Sequence, residues 1–273
     1  MEEKHPMHRE EISIFVGGKE LRFETGRFAR QANGAVVVRC GDTMVFCTAC
    51  AAPESDPEVD FLPLRVDVKK KFFSAGKTPG GFLKSEGRPT ESEILASRLV
   101  DRPLRPLFPK GYTNEVQVLA YVWSYDGVHA TDALAICGAS AALVLSDIPF
   151  SKPVGAVQVG WIDGQCILNP TVEQQKKSKR DLMLAGTEEA ILLIEGSADF
   201  LSEVEVLQAI EMGHVAIQAI CRELAAWKNK VGKAKKMPLL HLLPEGLEEA
   251  VLKLAKIPLQ KALHVSGKLE RDA

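Results

Sequence analysis

No continuous apolar run in this sequence reaches bilayer-spanning length. The longest apolar run, Ala133 to Leu145, has thirteen residues broken by Gly138 and Ser140, against the roughly 20 that a membrane helix requires. The opening MEEKHPMHREE has no apolar h-region, so neither a secretory signal nor a membrane partner is expected, and the expected location is cytoplasmic. Metal-site spacing is missing as well. Cys47 and Cys50 imitate a Cys-x-x-Cys pair, but they fall in a strand-like run, where positions three apart face opposite sides, and no second pair lies nearby. Cys40, Cys137, Cys166 and Cys221 are scattered through apolar segments, the pattern of reduced, buried thiols in a cytosolic protein. The histidines (His5, His8, His129, His214, His241 and His264) share no spacing, and no nucleophile triad emerges. There is no internal repeat and no low-complexity tract. At 46% hydrophobic and 26% charged residues the composition excludes wholesale disorder. A length of 273 residues allows one large core or two modest domains.

Against that plain background one stretch stands out, Gly76 to Phe108. Its first half is a glycine-punctuated loop, Gly76 to Pro89. Its second half opens with Thr90 and Glu93, a capping box that predicts a helix start. That helix is expected to end before Pro103. Arg98 and Arg102, four apart, share one of its faces, with Arg105 just beyond; Leu95 and Leu99 give it a side to bury. From Arg65 to Lys110 there are eleven Lys/Arg against five Asp/Glu, while the whole chain carries −2, leaving the remainder at −8. A basic, flexible loop with an apolar tip in an otherwise acidic protein points to a polyanion reader.

Turn signals divide the rest. Ile12–Val16 and Lys19–Phe23 flank Gly17-Gly18 as a two-residue hairpin, and Ala35–Cys40 and Thr43–Ala51 flank Gly41-Asp42. Phe61–Val68 and Glu115–Tyr125 read as further strands, and Thr131–Leu145 as a helix whose small residues let it lie close on a sheet. Two more hairpins turn at Asp163-Gly164 and at Gly186–Glu189. Ser202–Trp227 opens on a second capping box, Ser202 with Glu205; a basic linker (Lys228–Lys236) and a helix over Glu245–Lys256 follow, with a further helical piece after Pro258. Hairpins interleaved with a few helices, then an all-helical tail, make an α+β chain.

The block GKTPGGFLKSEGRPTESEILASRLVDRPLRPLFPKGYTNEVQV strongly resembles the first core of the bacterial polynucleotide phosphorylase family, and FSKPVGAVQVGWIDGQCILNPT and DLMLAGTEEAILLIEG continue the resemblance in order. It implies an RNase PH-like core over residues 1–212, with mixed sheets, packed helices and a βαβ-type crossover, followed by an all-helical domain over 213–273. It also implies a phosphate-dependent 3′→5′ exoribonuclease that releases nucleoside diphosphates from single-stranded RNA. Such enzymes use Mg2+ and inorganic phosphate, form a homotrimeric ring around an RNA channel, and join RNA-degradation assemblies. By the family pattern the chemistry belongs to a second core that this chain does not contain, so catalytic and metal residues are expected elsewhere.

The residues agree with that division of labour. In the family's active copy a serine run opens the helix corresponding to Thr131–Leu145 and cradles phosphate; aligned on Cys137-Gly138, that run falls on Ala130, Thr131 and Asp132. A carboxylate there favours the helix but repels an anion. Asp181 matches one of two metal aspartates, and Gln175 stands where the other belongs. One carboxylate without its partner is a poor Mg2+ site, so Asp181 is read as structural.

What remains is the loop. The family tip commonly reads Phe-Phe-Arg-Arg; here it is Phe82, Leu83, Lys84 and Ser85, which implies a softer grip on RNA. The candidate RNA-binding residues are Phe82, Leu83, Lys84, Arg88, Arg98, Arg102 and Arg105. Arg88 could equally bridge a nearby carboxylate, and Arg102 and Arg105 could bond backbone carbonyls. Phe72 and Phe73 are expected to anchor the loop base in the core, and Lys69, Lys70 and Lys71 to form a solvated strand end. A non-catalytic RNA-binding ring subunit of an exosome-like assembly is the alternative reading. A self-sufficient RNase PH-like enzyme is disfavoured by Asp132 and Gln175.

Overall fold

The structure, a computed structural model, describes residues 9–56, 58–82 and 84–272. Leu83 of the loop tip, His5 and His8 lie outside the described residues. The chain begins with a meander. β1 (Glu10–Val16), β2 (Lys19–Thr25), β3 (Gly34–Cys40) and β4 (Thr43–Ser55) pair antiparallel in succession. Gly17 and Gly18 both take positive φ, 56° and 75°, as a two-residue turn matched to strand twist requires. Alternation sets the inner face, with Val36, Val38, Val45, Cys47 and Ala49 all buried. Cys47 is inside and Cys50 outside, so that pair never meets. Burial pushes the Cys137 and Cys221 thiols up to about 12.

β5 (Leu64–Lys69) and β6 (Asn114–Ser124) complete the first sheet, ordered β1-β2-β3-β4-β6-β5. They run parallel, Leu64 opposite Val116, and α1 (Glu91–Leu104) makes the βαβ crossover between them. β5 is therefore an edge strand. α1 does not stop before Pro103 as expected; it runs to Leu104 and tightens into a 3-10 turn over Arg105–Leu107. Proline this close to a C-terminus removes only one donor of the closing turn. The second sheet holds β7 (Gly155–Ile162), β8 (Gln165–Leu168), β9 (Arg180–Gly186) and β10 (Ile191–Ala198), antiparallel in the order β10-β9-β7-β8.

α2 (Asp132–Leu145) lies between the sheets, touching β3, β4 and β6 on one side and β7 on the other. Every residue from Ala133 to Leu145 is buried. Its small residues are needed for that: a Cβ on Gly138 would come within 2.6 Å of Cys47 Sγ and 2.8 Å of Val38 Cγ2. Between β8 and β9 a short helix, α3 (Val172–Lys177), opens on a capping box of Thr171 and Gln174 that went unread in the sequence.

α4 (Glu203–Val231) opens on the Ser202/Glu205 capping box and packs on β7, β9 and β1 through Ala209, Gly213, Ile217, Ile220, Leu224 and Trp227. By length and composition alone it could cross a membrane; here that apolar face is in the core. The division expected at 212/213 falls inside this helix. Its buried face continues to Trp227, so the core runs on to Val231, and four residues of the expected basic linker are helical. Beyond it, residues 233–241 are strapped to the core. Lys233 and Lys236 donate their amides to Leu145 O and Asp147 O, Lys235 Nζ donates to Leu143 O and Ser146 O at the end of α2, and His241 N donates to Gly111 O. α5 (Leu247–Leu263), longer than expected and continuous through Pro258, has no buried residue, and α6 (Lys268–Asp272) follows.

Candidate functional site

α1 and the 3-10 turn that closes it carry a polar stripe spaced by four: Glu93, Ser97, Asp101 and Arg105. It lies along the open edge of β5 and supplies partners to four backbone groups on or beside that edge. Lys70 N donates to Glu93 Oε1 at 2.8 Å and Val68 N to Ser97 Oγ at 2.9 Å. Farther along, the Arg105 guanidinium donates to Leu64 O and Leu62 O, each at 3.1 Å, and is itself held by Asp101 at 2.7 and 3.1 Å. An edge strand's unpaired groups invite foreign strands; here a helix side supplies the partners. Arg105, expected among the RNA-binding residues, spends its donors on this seal.

The same Glu93 closes the loop. Its second oxygen accepts from Thr90 N at 2.8 Å and from Thr90 Oγ1 at 3.1 Å, so one buried carboxylate holds both ends of the segment between Lys70 and Thr90. Burial works to raise Glu93, but hydrogen bonds from the Thr90 and Lys70 amides and the Thr90 hydroxyl outweigh it and leave the group below the usual carboxylate range. Glu86 makes a second closure, accepting from Phe72 N at 2.6 Å and pairing with Lys71 at 2.9 Å. The Phe72 amide, then Lys71, draw Glu86 downward.

Phe72 and Phe73 do not anchor the loop base in the core. They sit on a 3-10 turn (Phe72–Ala75) closed by Gly76 at φ 66°, which lays both rings along the surface, 45% and 55% exposed. Phe73 stacks on Tyr121 at 6.0 Å. The lysine triplet is not freely solvated either: Lys69 reaches Asp67 at 3.9 Å, Lys70 pairs with Asp132 at 2.6 Å and Lys71 with Glu86. At the tip, Phe82 is wholly exposed and Lys84 takes φ 49°, an uncommon conformation for a residue with a Cβ. Among the described residues Lys84, Arg88 and Arg98 have no carboxylate partner, while Arg102 bridges to Glu195 at 2.7 Å.

Behind the loop lies a cleft of about 360 Å³ lined by Arg98, Arg102, Asp132, Gln158, Gln175 and Asp181 among others. It brings together Asp132, Gln175 and Asp181, at which the resemblance implied lost chemistry. Gln175 Nε2 donates to Asp181 Oδ2 at 2.8 Å and Gln158 Nε2 to Oδ1 at 2.5 Å. Both carboxylate oxygens thus face amide N–H groups; flipping either amide would set oxygen against oxygen. Mg2+ needs several oxygen ligands, and two amides turned nitrogen-first leave one carboxylate, already engaged. The residues present do not fit the metal. At the start of α2, Asp132 pairs with Lys70 at 2.6 Å, and its carboxylate sets negative charge at the end of the helix that favours anions. Gln158 was not singled out in the sequence, and Lys70 was read there only as part of a solvated strand end. Nothing in the spacing connects Gln158 to Asp181, which are joined only by the β7–β9 ladder.

The chain matches the 3′ exoribonuclease family, domain 1, over residues 17–149 and domain 2 over residues 152–216. It belongs to this RNase PH family. Among its relatives, the polyribonucleotide nucleotidyltransferase of Protochlamydia amoebophila (strain UWE25) is 61% identical over 266 residues, 97% of this chain and 38% of that protein. That of Chlamydia pneumoniae is 53% identical over 263 residues, 96% of this chain and again 38% of the relative. The chain thus spans less than half the length of the curated relatives it matches, and the match is to their N-terminal portion. Among solved structures, the crystal structure of rice (Oryza sativa) Rrp46 superposes with a TM-score of 0.60 at 18% identity, covering 82% of this chain and 98% of that one. That likeness extends the RNase PH fold across both sheets.

Proposed function

We propose that this chain is the RNA-guiding, non-catalytic first core of a phosphate-dependent 3′→5′ exoribonuclease, a polyribonucleotide nucleotidyltransferase. One observation carries the reading. The cleft residues at which the resemblance implies metal and anion are engaged with the chain's own groups, Gln158 and Gln175 on Asp181 and Lys70 on Asp132, whereas Phe82, Lys84, Arg88 and Arg98 stand exposed without carboxylate partners among the described residues. Aromatic stacking on bases tolerates any sequence, and cations follow the phosphate backbone. Together they suit a surface that threads single-stranded RNA without reading it.

In this proposal inorganic phosphate attacks the RNA 3′ end in a second core, which would also hold Mg2+, and the cores assemble as a homotrimeric ring in the cytoplasm. The present chain contributes the loop and the face of α1. Binding of a fluorescein-labelled single-stranded oligoadenylate, followed by anisotropy against salt, tests the assignment. Phe82→Ala should weaken binding about 5–150-fold, the worth of one stacked base. Arg98→Ala should reduce the salt slope by about one phosphate contact. Unchanged affinity and slope in both variants would refute the reading.

A further inference from the structure

We propose that Glu93 is a positioning residue for RNA, aiming the loop tip by holding both of the loop's feet; the proposal rests on the reading of that loop as an RNA grip. The feet are Lys70 and Thr90, and their amides meet on a single carboxylate at 2.8 Å each. Glu93 is only 3% exposed, so water does not compete for it. Two more contacts extend the hold a short way outward: Phe72 N on Glu86, and Tyr125 N on Ser74 O at 2.8 Å.

Beyond Gly76 the loop leaves the body of the protein. A Cβ built on Gly76, Gly80, Gly81 or Gly87 would meet nothing within 4 Å. Among the described residues no glycine of the segment that carries Phe82 and Lys84 rests against the body, and the segment's direction is set where it is fastened, at Glu86 and behind it at Glu93. Fixing the ends of a flexible segment removes conformations it would otherwise lose on binding, which raises affinity with no new contact to the ligand. Glu93 does this while touching no RNA. The sequence showed only half of its work, the capping box; the bond to Lys70 needs β5 laid beside α1.

The test uses the 273-residue chain, the same fluorescein-labelled oligoadenylate and amide hydrogen exchange, with three variants. Glu93→Gln keeps one acceptor and turns an NH2 toward the other amide. Phe82→Ala removes the direct contact. Ser202→Ala removes the equivalent cap from α4, away from the loop, and controls for general loss of helix stability. Expected for Glu93→Gln are exchange at the Lys70 and Thr90 amides faster by about tenfold or more, RNA affinity lower by roughly 3–10-fold, and a shallower salt slope as Lys84 loses its alignment. Ser202→Ala should leave RNA binding unchanged. If exchange accelerates in Glu93→Gln while affinity and slope hold, and Phe82→Ala still weakens binding, the loop grips RNA but Glu93 does not aim it. If exchange at the two amides does not change, the closure itself is wrong. An effect of Ser202→Ala equal to that of Glu93→Gln would reduce Glu93 to a stability role and overturn the proposal. If Phe82→Ala has no effect, the grip and the positioning role fall together.

Discussion

Gln175 donates its side-chain amide to Asp181 at 2.8 Å, so an amide holds this carboxylate with no cation required. A second carboxylate at position 175 would sit against Asp181 and require a cation between them. The amide supplies its own positive edge, and Gln158 does the same from the other side. The expected result of Gln175→Asp is a lower melting temperature in metal-free buffer, by about 2–4 °C for each 1 kcal/mol of repulsion in a chain of this size. Added Mg2+ should recover part of that loss. The parent chain should show no such Mg2+ shift; thermal melts with and without the ion decide it.

Arg105→Met should separate sealing from RNA binding. It frees two edge carbonyls and strands Asp101, at a cost of about 1–3 kcal/mol by denaturant unfolding. RNA affinity should stay within about twofold, because Arg105 is turned toward the protein. A large loss of affinity with little loss of stability would return Arg105 to the RNA-binding set.

Gly138→Ala tests the closeness of α2 to the first sheet. In an exposed helix the change would stabilise by up to about 1 kcal/mol. Here the new methyl meets Cys47 and Val38 inside 3 Å, and overpacking of that kind costs about 1–3 kcal/mol. Net destabilisation is expected from the same unfolding measurement.

Asp126 gives the fold an acid-sensitive joint between β6 and α2. Burial works to raise it, but the His129 ring, the amides of His129 and Val128, and the Thr43 hydroxyl together hold it far below the usual carboxylate range. A carboxylate depressed in the folded state stabilises above its unfolded pKa of about 3.9 and loses that contribution as pH falls toward the folded value. Asp126→Asn should therefore cost about 1–3 kcal/mol at neutral pH, with the gap to the parent chain closing below about pH 4. Unfolding midpoints across that range provide the check.

How much of this was legible in the sequence follows from where each signal lives. Hairpins turned by Gly17-Gly18 and Gly41-Asp42, and helices opened by Thr90/Glu93 and Ser202/Glu205, are local and were readable. Gln175, six residues from Asp181, was near enough to be weighed with it, and the resemblance implied a metal carboxylate there. Gln158 was not legible: it lies 23 residues from Asp181 and meets it through the β7–β9 ladder. Lys70 likewise looked like one of three solvated lysines until β5 and α2 were brought together. The boundary expected at 212/213 had no local signal to move it, because α4 runs through that point without changing its pattern. Phe72 and Phe73 were misread because hydrophobicity predicts burial only where the backbone turns inward, and Gly76 turns this one along the surface.

The most direct test of the central claim is phosphorolysis by the 273-residue chain itself. Purified protein is incubated with single-stranded RNA, inorganic phosphate and Mg2+, and nucleoside diphosphates are measured. The account predicts RNA binding that depends on Phe82, with no phosphate-dependent release of nucleoside diphosphate above the protein-free control. Release that requires phosphate and disappears in Asp181→Asn would contradict it, by placing a working catalytic centre in the cleft assigned here to structure.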